Sequence, residues 1–203
     1  EEILNSITHA IGVGLSIAGM AVLLIVAGRD PSPWKYASFA VYGATQIALY
    51  LSSALVHGFR FHTRVQSLLS RLDHSMIFAL IAGTYTPLCL IALRNGSGWL
   101  ILSLIWGLAL LGILLKTRLS QARARYVTAV YLPMGWLAFA FYGEIVRSTS
   151  QSFMLWVIAG GVCYTIGVAF FAWRRLPYSH LVWHFFVIAG SAFMYFANLF
   201  YLA

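Results

Sequence analysis

Two of the six histidines, His180 and His184, stand four residues apart in His180-x-x-x-His184. On an α-helix this spacing puts both imidazoles on one face, a turn apart, where both can bind a single metal ion. Ser53-x-x-x-His57 repeats the spacing earlier in the chain, and His57 would complete a three-histidine set. Three nitrogen donors leave the fourth position of a tetrahedral ion open to water, the arrangement of catalytic rather than structural zinc sites. Imidazole suits zinc, copper, iron and nickel, so zinc is the expectation and the other three stay open.

Asp73 and His74 adjoin. Neighbours on a helix point about 100° apart, so the two are not expected to face one centre. With three imidazoles as ligands, Asp73 is the one assigned to it, since a carboxylate can hold or deprotonate a water on the metal. His9 and His62 are read as hydrogen-bonded anchors near the membrane interface rather than as ligands. Cys89 and Cys163 each fall in the middle of an apolar segment and read as plain buried thiols. Gly83-Thr84-Tyr85-Thr86-Pro87 is a polar break in an apolar run and reads first as packing or a kink. Ser53 or Tyr85 is a candidate to hydrogen-bond a developing oxyanion.

The elements that must carry these residues are set by composition. Only 9% of the 203 residues are charged and 61% are hydrophobic, too few charges to cover a water-soluble domain, so the solvent for most of the chain is lipid. Charges and turn residues divide it into seven apolar stretches, roughly 6–28, 34–59, 74–93, 98–115, 126–142, 152–173 and 178–203. The expectation is an all-α bundle of seven transmembrane helices forming one domain over residues 1–203. The fifth span is the shortest and holds Pro133, where a kink is tolerable if neighbours satisfy the freed carbonyl. In the link before the third span, Val65, Leu68, Leu69 and Leu72 recur at helical spacing opposite Arg64, Gln66, Ser67 and Arg71, which predicts a short amphipathic helix on the inner leaflet. The chain opens at Glu1-Glu2 without methionine, which reads as a trimmed start, and the first apolar run is long enough to span rather than to serve as a cleavable signal.

The net charge of +8 is spread between the apolar runs rather than gathered with interleaved aromatics. The basic residues therefore read as loop anchors facing anionic lipid, and no nucleic-acid partner is expected. Arg60, Arg64, Arg71, Lys116, Arg118, Arg123, Arg125, Arg174 and Arg175 fall on one side of the membrane, against Arg29, Lys35, Arg94 and Arg147 on the other. The positive-inside rule then puts the N-terminus in the cytoplasm and the C-terminus outside. Odd spans begin and even spans end at the cytoplasmic face. His9, His57, His62, His74, Asp73, His180 and His184 thus all converge in one layer, and an ionisable group inside a membrane costs a few kcal/mol unless partnered.

Glu2-x-x-Asn5-x-x-Thr8-His9 in the first span, Ser53-x-x-x-His57 followed by Asp73, and His180-x-x-x-His184 in the seventh together resemble the three signatures of the hemolysin III group. This is the bacterial branch of the progestin and adipoQ receptor family, which includes the adiponectin receptors. The resemblance covers essentially the whole chain, with no departure from the motifs. It implies a seven-helix bundle with a cytoplasmic N-terminus in the bacterial inner membrane. It also implies zinc on His57, His180 and His184, Asp73 near the zinc-bound water, and Ser53 supporting the site from behind the ligands. The family belongs to a wider set of membrane proteins regarded as metal-dependent lipid hydrolases, and its adiponectin-receptor members are associated with ceramidase activity.

Two functions of different class fit these residues. One is a zinc-dependent amide or ester hydrolase acting on a lipid-like substrate; the other is a membrane sensor or regulator in which zinc only fixes the helices. A transporter is disfavoured because the ionisable intramembrane groups lie near one face. A retinal protein needs a lysine within a span, whereas Lys35 and Lys116 are at span ends. A secreted pore-forming toxin is disfavoured by the chain's apolar character.

Overall fold

The computed structural model describes residues 1–59, 62–119, 126–173 and 175–203. Arg60, Arg123, Arg125 and Arg174, counted above among the loop charges, lie outside the described residues. Among the described residues all regular structure is helical. Seven helical segments are long and apolar enough to cross a membrane: Glu2–Ala27, Pro33–Gly58, Thr63–Ala92, Gly98–Arg118, Thr128–Ser148, Gln151–Ala172 and Ser179–Tyr201. The protein is a multi-pass membrane protein. Large aliphatic side chains such as Ile3, Ile25, Leu100 and Leu110 stand exposed on its outer faces, as lipid-facing positions require.

The helices are α1 (Glu2–Ala27), α2 (Pro33–Gly58), α3 (Thr63–Pro87) and α4 (Gly98–Arg118), then the short α5 (Tyr131–Gly135) and α6 (Tyr142–Ser148) of the fifth span, then α7 (Gln151–Ala172) and α8 (Ser179–Tyr201). Starts are written locally. Ser32 caps α2 by accepting the Trp34 N–H at 3.3 Å, with Pro33 at the first helical position, and Ser150 caps α7 by accepting the Phe153 N–H at 3.0 Å. The third span is central, with 67% of its most apolar window buried against 22% for the first and sixth. Phe78, Phe39, Tyr42, Ile105 and Leu23 form the core around it. Glycine permits a close approach of α1 to α2: a Cβ on Gly12 would sit 2.7 Å from the Tyr50 ring.

The third span is longer than its apolar run. The link expected to lie as a separate interfacial helix is instead the opening of α3, continuous from Thr63. No glycine or proline interrupts residues 63–74, so the charges there end the hydrophobic stretch without ending the helix. Two link residues expected at the lipid surface are spent on helix ends. Gln66 donates to the Val56 carbonyl of α2 at 2.9 Å and Arg71 to the Thr117 carbonyl of α4 at 2.9 Å. Lys116 also departs from its expected place as an outward anchor. It is buried, donates to Thr128 Oγ1 at 2.7 Å and lies over the Tyr131 ring.

The polar break in the third span and the broken fifth span explain each other. Pro87 closes α3 and a π-helical turn, Leu88–Ala92, follows, because proline offers no N–H to continue the ladder. In the fifth span α5 and α6 are separated by the 3₁₀ segment Leu137–Phe141. The Tyr85 hydroxyl fills this interruption, lying 3.0 Å from the Met134 carbonyl and 2.9 Å from that of Gly135 while accepting the Ala138 N–H at 2.9 Å. Tyr85 is thus committed to backbone, and its candidacy as an oxyanion donor is withdrawn. Trp136 closes the same wall from the other side, donating to Thr165 Oγ1 of α7 at 3.0 Å. Cys89 and Cys163 are both free thiols.

Candidate metal centre

His57 comes from the last turn of α2, and His180 and His184 from the first two turns of α8. These turns meet at the end of the bundle where α1 begins. Each residue offers a ring nitrogen, and the three nitrogens lie within 4.8 Å of one another, a grouping that could hold a metal ion. The Nε2 atoms of His57 and His180 are 3.2 Å apart. Two imidazole nitrogens on one tetrahedral zinc, each about 2.0–2.1 Å from the ion, lie about 3.3–3.4 Å from each other, so the donor set fits.

Asp73 stands in the opening of α3 and borders the same space, facing Ser53 and His57 of α2. Ser53 is buried, and its hydroxyl faces this carboxylate. His74, beside Asp73, gives its Nδ1–H to the Ser70 carbonyl of its own helix at 2.7 Å and is not one of the three grouped rings. Both nevertheless line the cavity, because a wide space accommodates side chains that diverge from one backbone. His62 is exposed just before α3 and outside the group.

α1 adds residues whose part the spacing did not disclose. Glu2 Oε2 lies 2.5 Å from His57 Nδ1, and Thr8 Oγ1 lies 3.3 Å from His184 Nδ1. His9 is not a hydrogen-bonded anchor. It is buried with both ring nitrogens unpartnered, packs flat on His184 and meets the Tyr50 ring edge-on. The run Glu2-x-x-Asn5-x-x-Thr8-His9 was the available signal, but its contacts join residues up to 176 positions apart.

The centre stands at a junction. From it a mostly apolar cavity runs between α3, α5, α7 and α8, bordered along α8 from His180 to Asn198. From His184 to Asn198 this is about 21 Å at 1.5 Å per residue. A second, more polar recess, bounded by Glu1, His74, Phe171, Leu176, Ser179 and His180, opens at the amino-terminal end and shares His74, Phe171 and His180 with the first. The three motifs therefore meet in space as well as in sequence. The match to the Haemolysin-III related family extends over residues 1–195. This chain belongs to that family. It is 43% identical over 203 residues to "Hemolysin-3" of Bacillus cereus, covering 100% of this chain and 92% of that one. It is 41% identical over 201 residues to "Hemolysin-3 homolog" of Bacillus subtilis, covering 99% and 94%. At 27% identity over 207 residues it is similar to the human "Monocyte to macrophage differentiation factor", covering 97% and 82%. The haemolysin-III assignment agrees with the resemblance drawn from the three motifs.

Proposed function

We propose that this haemolysin-III family member is a zinc-dependent hydrolase of a lipid-like amide or ester, seated in the bacterial inner membrane with its metal centre at the cytoplasmic face. The observation that carries the reading is the position of His57, His180 and His184, donors spaced for one ion where an apolar cavity meets a polar recess. His57, His180 and His184 would hold the zinc. The bound metal supplies a Lewis acid that polarises a carbonyl and brings the pKa of a coordinated water to about 7. Asp73 holds the attacking water and takes its proton, and the Ser53 hydroxyl orients that carboxylate. The apolar cavity takes the hydrocarbon part of a membrane lipid, and the recess beside Glu1 and Ser179 admits water and releases the polar fragment.

A second reading is a lipid-responsive membrane sensor with structural zinc. It is favoured by the placement of the histidines on α2 and α8, which an ion would fasten together. Purified protein reconstituted in lipid and assayed for release of fatty acid with and without chelator separates the two. Chelator-sensitive turnover supports the hydrolase, and zinc-loaded protein without turnover on ester or amide lipids supports the sensor.

A further inference from the structure

The first two turns of α1 carry Glu2, Asn5, Thr8 and His9, and the hydrolytic reading gives them no task. Their contacts run to the backs of two of the three clustered rings. Glu2 Oε2 meets His57 Nδ1 at 2.5 Å, while His57 Nε2 faces His180 Nε2 at 3.2 Å. Thr8 donates its own hydroxyl proton to the Asn5 carbonyl at 2.9 Å. Its oxygen therefore has only lone pairs left for His184 Nδ1, 3.3 Å away, so the proton in that contact belongs to the imidazole. A carboxylate at Nδ1 of His57 fixes the proton on Nδ1 in the same way. Both rings are thereby held as the tautomer with Nδ1–H turned outward and Nε2 bare. His9, flat on His184, restrains the plane of that ring.

Metal-bound imidazoles almost always give their second N–H to a carboxylate, carbonyl or similar acceptor, which orients the ring and raises its basicity. We propose that the opening of α1 is the outer shell of the metal centre, with Glu2 and Thr8 the positioning residues that present Nε2 of His57 and His184 to the ion. This rests on the reading of His57, His180 and His184 as ligands. Glu2 also brings a negative charge beside a dication held by three neutral donors. His9 is buried against the His184 ring and the Asn5 backbone carbonyl faces the same ring, which keeps the face of α1 registered on α8.

The test is zinc affinity of the full chain in detergent, measured by chelator competition, for the wild type and for Glu2→Ala, Glu2→Gln, Thr8→Val and Thr8→Ser. Asp30→Asn, at the opposite end of α1 and paired with Lys35, is the control. Glu2→Ala and Thr8→Val should each weaken binding about 10–100-fold, the usual effect of losing such a partner. Glu2→Gln, which keeps an acceptor oxygen, should lose less than Glu2→Ala; Thr8→Ser and the control should match the wild type. Melting of the metal-free proteins separates this from misfolding, since a role confined to packing would lower the metal-free Tm, would survive the isosteric Thr8→Val and would be weakened by Thr8→Ser, which loses a methyl group. Wild-type affinity in both Glu2→Ala and Thr8→Val overturns the proposal while leaving the ligands standing. A wild type that takes up no stoichiometric zinc overturns the ligand reading and this one with it.

Discussion

The His9 ring lies flat on His184, centroids 3.5 Å apart and planes 12° from parallel. An imidazole binds metal through a lone pair in its own plane, so two parallel rings aim side by side rather than at one point about 2 Å from both. His9 therefore shapes the centre without joining it. His9→Phe, which keeps the stack and removes both nitrogens, is expected to leave zinc per protein unchanged by elemental analysis. Loss of the metal would make His9 a fourth ligand.

Asp73→Asn separates proton transfer from ligation. The amide keeps the shape of the carboxylate but cannot accept a proton, so the variant should retain zinc and lose hydrolysis by roughly 10²–10⁴-fold. Ser53→Ala should cost less, about 10–100-fold, because Ser53 acts through the carboxylate it faces. Loss of zinc in Asp73→Asn would instead make the aspartate a ligand.

Tyr85→Phe tests the broken fifth span. Removing the hydroxyl leaves the buried Met134 carbonyl and Ala138 N–H, and the Gly135 carbonyl, without this partner. A stability loss of about 1–3 kcal/mol is expected, read as a lower Tm in detergent, with zinc content unaffected. An unchanged Tm would show that the wall of the cavity does not depend on this hydroxyl.

Orientation is open to a fusion experiment. The excess of Lys and Arg on one side leads us to expect the N-terminus in the cytoplasm, so a C-terminal reporter active only there should be silent. Strong signal from it would invert the topology and move the centre to the outer face.

The spans and the histidine cluster were legible because both are local patterns: about 20 apolar residues for a span, and a four-residue repeat for His180 and His184. Their depth followed once odd and even spans were set in opposite directions. Two features were not legible. α3 begins at Thr63 rather than near His74, because polar residues at helical spacing extend a helix without extending its hydrophobic run. The pairing of Glu2 with His57 joins residues 55 positions apart, and that of Thr8 with His184 joins residues 176 apart. Such pairs depend on α1 packing against α2 and α8, which no local pattern records. His9 was misread for the same reason: its neighbour is a ring on another helix.

Zinc per protein in His57→Ala, His180→Ala and His184→Ala, beside His62→Ala as a control outside the group, tests the metal centre most directly. Each of the three removes one nitrogen donor, so occupancy should fall steeply, with stability falling too because metal binding is coupled to folding. His62→Ala should hold wild-type zinc. Full occupancy in His180→Ala or His184→Ala would contradict the account.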